Sequence, residues 1–225
     1  MQKLLLLHGA LGSSSNFSEL EKMLELDFKV HTFTFEGHGE RELPESLSIP
    51  KFAAEVIRFL DENAIDKISI FGYSMGGYVG LYLAKYFPER VQKLYTLATK
   101  LNWTKEGAIK ESAMLNPELI KEKVPKYALA LSQMHGENWK KLLTKTAEMM
   151  IDLGNQPQLT DEDFEKIEIP IRISVGDKDT MVTIEESLNA YRKLPNAQFH
   201  IMPNTSHPIE RVDMGELAHQ IRGYF

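Results

Sequence analysis

The sequence predicts an α/β fold built on a doubly wound, mostly parallel sheet of about six strands. Two observations support this prediction: strand-like runs alternate with helix-like runs along most of the chain, and several strand-like runs end in glycine-rich turns. Right-handed crossovers bring the carboxyl ends of parallel strands to one edge of such a sheet, where these folds bind ligands. We therefore expect the functional residues in the turns that follow the strands.

Six segments have the pattern of strands. Residues 3–7 are almost continuously apolar, as in a strand that is buried on both faces, and residues 28–35 alternate between apolar and polar side chains. The other candidate strands are residues 67–71, 91–99, 169–175 and 198–202. Segments with apolar side chains at helical spacing lie between these strands, such as the segment that contains Phe52, Val56 and Leu60. This order is typical of a parallel sheet with helical crossovers.

Residues 101–166 interrupt the alternation, because no strand pattern occurs in them. Helical stretches are predicted instead at residues 105–115, 118–134 and 137–153. We therefore divide the chain into a core, residues 1–100 and 167–225, and a helical insertion, residues 101–166. An insertion between two strands at the ligand-binding edge is expected to form a lid.

Large apolar side chains in the insertion are candidates for substrate contacts. Most of them are expected to pack the insertion onto the core, and the rest would favour a small, largely apolar substrate. The candidates are Trp103, Leu115, Met134, Trp139 and Met150. Lys100 and Lys105 could hold a carboxylate at the mouth of the pocket, although lysines in a charged segment are more often solvated.

Length and composition restrict the class of protein. A chain of 225 residues with 43% hydrophobic and 26% charged residues fits one globular domain with an insertion. The net charge of −6 argues against nucleic-acid or anionic-membrane partners, and the absence of cysteine excludes disulfides and thiolate metal sites. The apolar run at residues 4–7 is too short for a signal peptide or a membrane span. We expect a cytoplasmic monomer or homodimer that takes a small-molecule substrate and needs no cofactor or metal.

The segment Gly72-Tyr73-Ser74-Met75-Gly76 joins a strand-like run to a helix-like run. Such a sharp bend strains the backbone at its apex, and glycine on either side removes the Cβ atoms that would collide. Ser74 at the apex would be exposed beside a helix N-terminus, where developing negative charge is stabilised. This arrangement predicts a nucleophile. The alternative is a serine that merely caps the helix.

A serine nucleophile needs a general base, and the base needs an acidic partner. Among the seven histidines, His207 alone lies in a polar loop directly after the last predicted strand. Asp177 and Asp179 both follow the preceding strand. Asp177 is nearer to the strand end and would brace the turn, which makes Asp179 the better candidate for the acid.

These segments together resemble the α/β-hydrolase family. The matching segments are the His8-Gly9 loop, Glu36-Gly37-His38-Gly39, Gly72-Tyr73-Ser74-Met75-Gly76-Gly77, Gly176-x-x-Asp179-x-x-Val182 and Ser206-His207. They occur in the family's order, serine then acid then histidine. The resemblance implies that Ser74 is the nucleophile, that His207 is the base and then the acid, and that Asp179 orients the histidine. It also implies an oxyanion hole from the backbone N–H groups of Ala10 and Met75.

The sequence departs from the family's pattern in two places. Glu36 and Gly37 stand where the family usually has an aspartate and a proline, which affects the shape of a turn more than the chemistry. The strand that carries His8 lies almost at the start of the sequence, so we expect an N-terminally shortened sheet that lacks the family's first two strands. That shortening would expose a different strand at the edge of the sheet, which would have to be capped or paired with another copy of the chain.

The resemblance implies a serine hydrolase that cleaves an ester or related carbonyl compound through an acyl-enzyme. The serine-containing segment also resembles menaquinone-pathway lyases and hydrolases of carbon–carbon bonds, in which the same triad moves protons. Those lyases hold anionic substrates with arginines, and residues 100–166 contain none. A third possibility is a non-enzymatic receptor for small molecules on the same fold.

Overall fold

The computed structural model describes residues 1–225 and contains one sheet of six strands. The strands are β1 Gln2–Leu7, β2 Phe28–Phe33, β3 Ile68–Tyr73, β4 Val91–Leu97, β5 Ile171–Gly176 and β6 Ala197–Met202. Their spatial order is β2-β1-β3-β4-β5-β6, and every neighbouring pair is parallel. The predicted fold class and the predicted number of strands are confirmed.

Helices connect the strands. They are α1 Ser18–Leu24, α2 Ile49–Glu62, α3 Met75–Tyr86, α4 Lys105–Ala113, α5 Pro117–Lys123, α6 Pro125–His135, α7 Trp139–Asn155, α8 Asp161–Phe164, α9 Ile184–Lys193 and α10 Met214–Tyr224. None of them combines the length and the apolar composition that crossing a membrane would require.

The predicted helix over residues 118–134 is wrong, because the structure has two helices there, α5 and α6. The break falls at Val124, whose φ of −136° and ψ of 60° are not helical. Pro125 follows it. A proline has no N–H to continue the helix, and its ring disfavours the helical conformation of the preceding residue.

Strand β2 ends two residues earlier than the alternating pattern predicts. The backbone N–H of Phe35 donates to Nε2 of His8, 3.0 Å away, and not to the neighbouring strand. The His8 side chain has therefore replaced a backbone carbonyl of the neighbouring strand as the hydrogen-bond partner at the point where β2 leaves the sheet. The same bond ties the ends of β1 and β2 together.

Apolar side chains form two separate cores, one on each face of the sheet. The larger contains 36 buried residues, including those of α2 and α3, and the smaller contains 18, including those of α1 and α10. The buried apolar residues of the insertion, such as Leu131 and Leu143, belong to the larger core. The buried apolar residues of α5 to α8 that join a core therefore belong to the larger one.

Candidate active site

Ser74 lies at a strained bend between β3 and α3. Its φ of 51° and ψ of −116° place a residue with a side chain in a region that usually requires glycine, at a cost of about 1–3 kcal/mol. A Cβ on Gly72 would lie 2.5 Å from the carbonyl oxygen of Gly76, and one on Gly76 would collide with the backbone of Leu7. The Ser74 side chain makes no capping hydrogen bond, so its hydroxyl is free for another role.

The structure brings Ser74, His207 and Asp179 into one chain of contacts. Oγ of Ser74 lies 3.4 Å from Nε2 of His207, and Nδ1 of His207 lies 2.8 Å from Oδ2 of Asp179. The Asp179 side chain is fully buried and that of His207 is 12% exposed. Because the carboxylate can only accept, the proton of a neutral His207 belongs on Nδ1. Nε2 then faces the serine as an acceptor.

The two candidate aspartates make different contacts. Oδ1 of Asp179 accepts from the backbone N–H groups of Met181 and Val182, both at 2.8 Å, which leaves Oδ2 directed at the histidine. Oδ1 of Asp177 accepts from the N–H of Thr205, and Asp177 makes no contact with His207. Asp177 thus braces the loop that carries the histidine, while Asp179 contacts it directly.

Tyr73 contacts both the backbone and the ring of His207. Its hydroxyl donates to the backbone carbonyl of His207 across 2.6 Å, and burial raises the pKa of this phenol well above its usual range. The ring lies 5.7 Å from the imidazole between centroids. The sequence analysis did not assign a role to Tyr73. Its position directly before Ser74 was the available signal.

Two residues that line the same cavity as Ser74 have unpaired backbone N–H groups. Those of Ala10 and Met75 have no hydrogen-bond acceptor in the protein, and both residues line the cavity. Met75 is the first residue of α3, where N–H groups have no partners within the helix. These are the donors that the family resemblance assigns to an oxyanion hole.

The cavity above Ser74 contains about 540 Å³ of free space, part of it open to solvent. Ten of its fourteen lining residues are hydrophobic. The lining residues are Ala10, Ile49, Ser74, Met75, Tyr78, Lys100, Trp103, Glu111, Met149, Met150, Leu153, Met181, Val182 and His207. Both the core and the insertion contribute to this wall.

The candidate lid contacts divide into two groups. Trp103 and Met150 line the cavity, whereas Met134, Trp139 and Leu115 do not. Trp139 begins α7 and packs against the larger core, about 16 Å along the helix axis from Met150. The helical spacing of apolar residues in α7 does not show which end of the helix faces the site.

Lys100 lines the cavity but its charge is already paired. Its Nζ lies 3.7 Å from Oε2 of Glu186 and 5.8 Å from the centre of the Trp103 ring. Oε1 of Glu186 also accepts from the N–H groups of Leu101 and Asn102, both at 2.7 Å. Glu186 therefore fixes the first residues of the insertion to α9, a role that the sequence analysis missed.

Three histidines cluster behind the loop that carries Ala10, and none of them lines the cavity. The His38 ring lies between those of His8 and His135, at centroid distances of 5.0 and 6.0 Å. All three are buried, and burial lowers their pKa values, that of His8 to about 4. They are therefore neutral at pH 7.

His135 links the insertion to the core. Its Nδ1 accepts from the N–H of Gly39 at 2.9 Å, which requires the proton on Nε2. That N–H donates to the carbonyl of Leu11, also at 2.9 Å. Leu11 follows Ala10 and has a φ of 62°, so an insertion side chain holds a strained residue beside the candidate oxyanion donor.

No three His, Cys, Asp or Glu side chains are grouped so that they could hold a metal ion. The buried histidines already use their nitrogens for backbone contacts, apart from Nε2 of His38.

The comparisons with known proteins support an enzyme with hydrolase activity. The model of the α/β-hydrolase-fold family matches residues 3–124, more than half of the sequence. The chain belongs to that family.

Individual relatives differ in how much of the chain they match. An abhydrolase domain-containing protein of Schizosaccharomyces pombe is 33% identical over 92 residues, which are 40% of this chain and 34% of that protein. A putative 2-succinyl-6-hydroxy-2,4-cyclohexadiene-1-carboxylate synthase of Bacillus subtilis is 23% identical over 90% of this chain and 82% of its own length. A thermophilic esterase from Thermogutta terrifontis superimposes with a TM-score of 0.81 at 20% identity, covering 100% of this chain and 89% of that one.

Proposed function

We propose that this enzyme hydrolyses a small, largely apolar ester through a Ser74–His207–Asp179 triad and an acyl-enzyme. The observation that carries the proposal is the chain of contacts from Ser74 Oγ through His207 to Asp179 Oδ2, at 3.4 and 2.8 Å. The neutral tautomer that Asp179 favours presents an unprotonated Nε2 to the serine, which is what a general base requires.

The first half of the proposed reaction forms the acyl-enzyme. Oγ of Ser74 attacks the ester carbonyl while its proton passes to Nε2 of His207. The N–H groups of Ala10 and Met75 stabilise the negative oxygen of the tetrahedral intermediate, each worth roughly 2.7–4 kcal/mol in comparable sites. His207 then gives its proton to the departing alcohol, and the carbon–oxygen bond to that alcohol breaks.

The second half repeats these steps with water. His207 removes a proton from the water as it attacks the acyl carbon, and returns that proton to Oγ of Ser74 as the acid leaves. The buried Asp179 carboxylate stabilises the imidazolium that forms in both halves. The apolar wall formed by Trp103, Met150 and Leu153 favours an apolar chain on the substrate.

The direct test is a panel of p-nitrophenyl esters of increasing chain length, with Ser74→Ala as the blank. We expect the parent enzyme to hydrolyse short and medium chains, and Ser74→Ala to lose at least about a thousandfold in kcat/KM. A fluorophosphonate probe should label Ser74 and no other residue. Equal rates for the parent and the variant on every ester would refute the proposal.

A lyase reaction is the second candidate, because the Bacillus subtilis relative that matches 90% of this chain is named as a synthase of a cyclohexadiene carboxylate. The cavity offers little to hold an anion, since its one cationic side chain, Lys100, is paired with Glu186. Turnover of that synthase's substrate by the parent, with no ester hydrolysis above the Ser74→Ala blank, would favour the lyase. If neither activity is detected and a ligand causes the protein to bind a partner, a receptor would be favoured.

A further inference from the structure

We propose that Glu111 and Trp103 form a polar recognition point in the cavity for a hydroxyl or amide group on an otherwise apolar substrate. The inference rests on the proposed function, because it names the substrate class of the same site. It follows from two polar side chains on the cavity wall that have no partner in the protein.

Glu111 lies on α4 and is only 8% exposed. Its Oε2 atom is buried without any hydrogen-bond partner, and neither carboxylate oxygen contacts a cation. Burying a carboxylate among apolar side chains is costly unless something pairs with it. Its cavity neighbours on α7, Met149 and Leu153, cannot provide that partner.

Trp103 presents the complementary group. Its indole nitrogen, Nε1, is buried and has no acceptor in the protein, although the residue lines the same cavity. An indole N–H can only donate, and an ionised carboxylate can only accept. The cavity wall thus carries one unused donor and one unused acceptor.

The other polar lining groups are already in use. The Tyr78 hydroxyl accepts from the N–H of Leu159 at 3.2 Å, and Lys100 is paired with Glu186. Ser74 and His207 contact each other. Glu111 and Trp103 are therefore the polar lining side chains that have no hydrogen bond or ion pair in the protein.

The chemical class follows from this pairing. A hydroxyl or a secondary amide both donates and accepts, so it can pair with the carboxylate as a donor and with the indole as an acceptor. An ammonium group can only donate, and an ether can only accept. A site with unpaired buried groups discriminates strongly against analogues that fail to pair with them.

The test uses the full-length enzyme and methyl esters of hexanoate, 6-hydroxyhexanoate, 6-methoxyhexanoate and 6-aminohexanoate. A second series carries the same groups on the alcohol side, as acetates, and both series cover chains of four to eight carbons. We expect kcat/KM for the best hydroxy ester to exceed that of its methoxy partner by about ten- to a hundredfold. The ammonium ester separates recognition by charge from recognition by a neutral group.

The variants are Glu111→Leu, Glu111→Gln and Trp103→Phe, with Glu106→Gln as the matched control. Glu106 is exposed on the same helix and does not line the cavity. Glu111→Leu should bring the hydroxy-to-methoxy ratio close to one, and Glu111→Gln should keep most of it, since an amide oxygen still accepts. Trp103→Phe should reduce the ratio, and Glu106→Gln should leave it unchanged.

Two results would overturn the inference: a ratio that Glu111→Leu does not change, or no preference for a hydroxyl in either series. A preference for the ammonium ester over the hydroxy ester would also overturn it, because it would show recognition by charge. Thermal unfolding adds a readout without activity. Because the leucine substitution removes an unpaired buried carboxylate, Glu111→Leu should raise Tm, whereas a structural carboxylate would lower it when replaced.

Failure of the proposed function can be told apart from failure of this inference. If no ester is hydrolysed above the Ser74→Ala blank, the proposed function fails. Calorimetric binding of methyl 6-hydroxyhexanoate to Ser74→Ala, with and without Glu111→Leu, still tests the recognition point. We expect about tenfold weaker binding when the carboxylate is removed, and equal binding would refute the inference.

Discussion

The Asp179 side chain performs two tasks with its two oxygens. Oδ1 is held by the N–H groups of Met181 and Val182, so Oδ2 has only one orientation in which to meet Nδ1 of His207. The residue therefore fixes the position of the imidazole and its tautomer together. This makes it possible to change the chemistry of Oδ2 while the backbone contacts of Oδ1 are kept.

Asp179→Asn should lower kcat by about 10⁴ with little change in fold. Asparagine can still accept at Oδ1, but its NH₂ group would face Nδ1 of His207 and select the tautomer with the proton on Nε2. That nitrogen could then no longer accept the proton of Ser74. Steady-state kinetics on the best p-nitrophenyl ester, with circular dichroism as a check on folding, measures the effect.

Asp177→Asn is the matched control for that experiment. Asp177 accepts from Thr205 and makes no contact with His207, so its amide variant should keep kcat within a few-fold of the parent. A loss of less than about tenfold in Asp179→Asn, or equal losses in both variants, would contradict the assignment of the acid.

At the scale of elements, the important contact joins α6 to the loop that carries Ala10 and Leu11. His135, the last residue of α6, bonds both Gly39 and Leu11, and Leu11 directly follows Ala10. The insertion thus packs over the site and also holds the backbone that provides a candidate oxyanion donor. Displacement of α6 would disturb the position of the Ala10 N–H.

His135→Leu should destabilise the protein by about 2–4 kcal/mol, because it leaves the half-buried N–H of Gly39 and the buried carbonyl of Leu11 unpaired. It should also lower kcat more than it raises KM, since the loop would lose its fixed position. Urea unfolding and steady-state kinetics measure the two effects.

Gln133→Leu serves as the control on the same helix, because residue 133 is exposed. It should leave both the free energy of unfolding and kcat close to those of the parent. If His135→Leu lost stability but kept kcat, the contact would be structural only.

For the whole molecule, the buried histidines predict how stability depends on pH. His8, His38 and His135 have pKa values below the ordinary value of about 6.5, mainly because of burial. The unfolded chain therefore binds more protons than the folded one once the pH falls below that value. Their contribution to stability is complete above about pH 6.5 and is lost as the pH falls.

The free energy of unfolding should therefore fall between about pH 7.5 and pH 4. The shift of His8 to about 4 alone corresponds to roughly 3 kcal/mol at about 1.4 kcal/mol per pH unit. His38→Leu should make the fall shallower, because it removes one of these groups and its unpartnered Nε2. Urea unfolding at several pH values gives the slope.

The exposed His219 provides the control for the slope. His219→Asn should keep the pH dependence of the parent, and an unchanged slope in His38→Leu would contradict the role assigned to the cluster. Comparing slopes makes the test independent of any uniform change in stability that a substitution causes.

The sequence predicted the strands and the bend at Ser74 well, because burial on two faces and a strand–helix turn leave local patterns. The pattern also placed Asp179 and His207 after neighbouring strands, where topology brings them close to Ser74. It missed Tyr73, Glu186 and Glu111, whose roles depend on contacts between distant segments. The break at Val124 was missed although Pro125 was visible.

The separation of the two cores has a consequence for how such enzymes diverge. The core residues of the insertion belong to the larger core, so the opposite layer, built from α1 and α10, is not obliged to change when the insertion does. New substrate preferences can accumulate on one side while the other preserves foldability. A graft of residues 101–166 from a relative would have to reproduce the contacts with Glu186, Leu11, Gly39 and Tyr78 to be compatible with this scaffold.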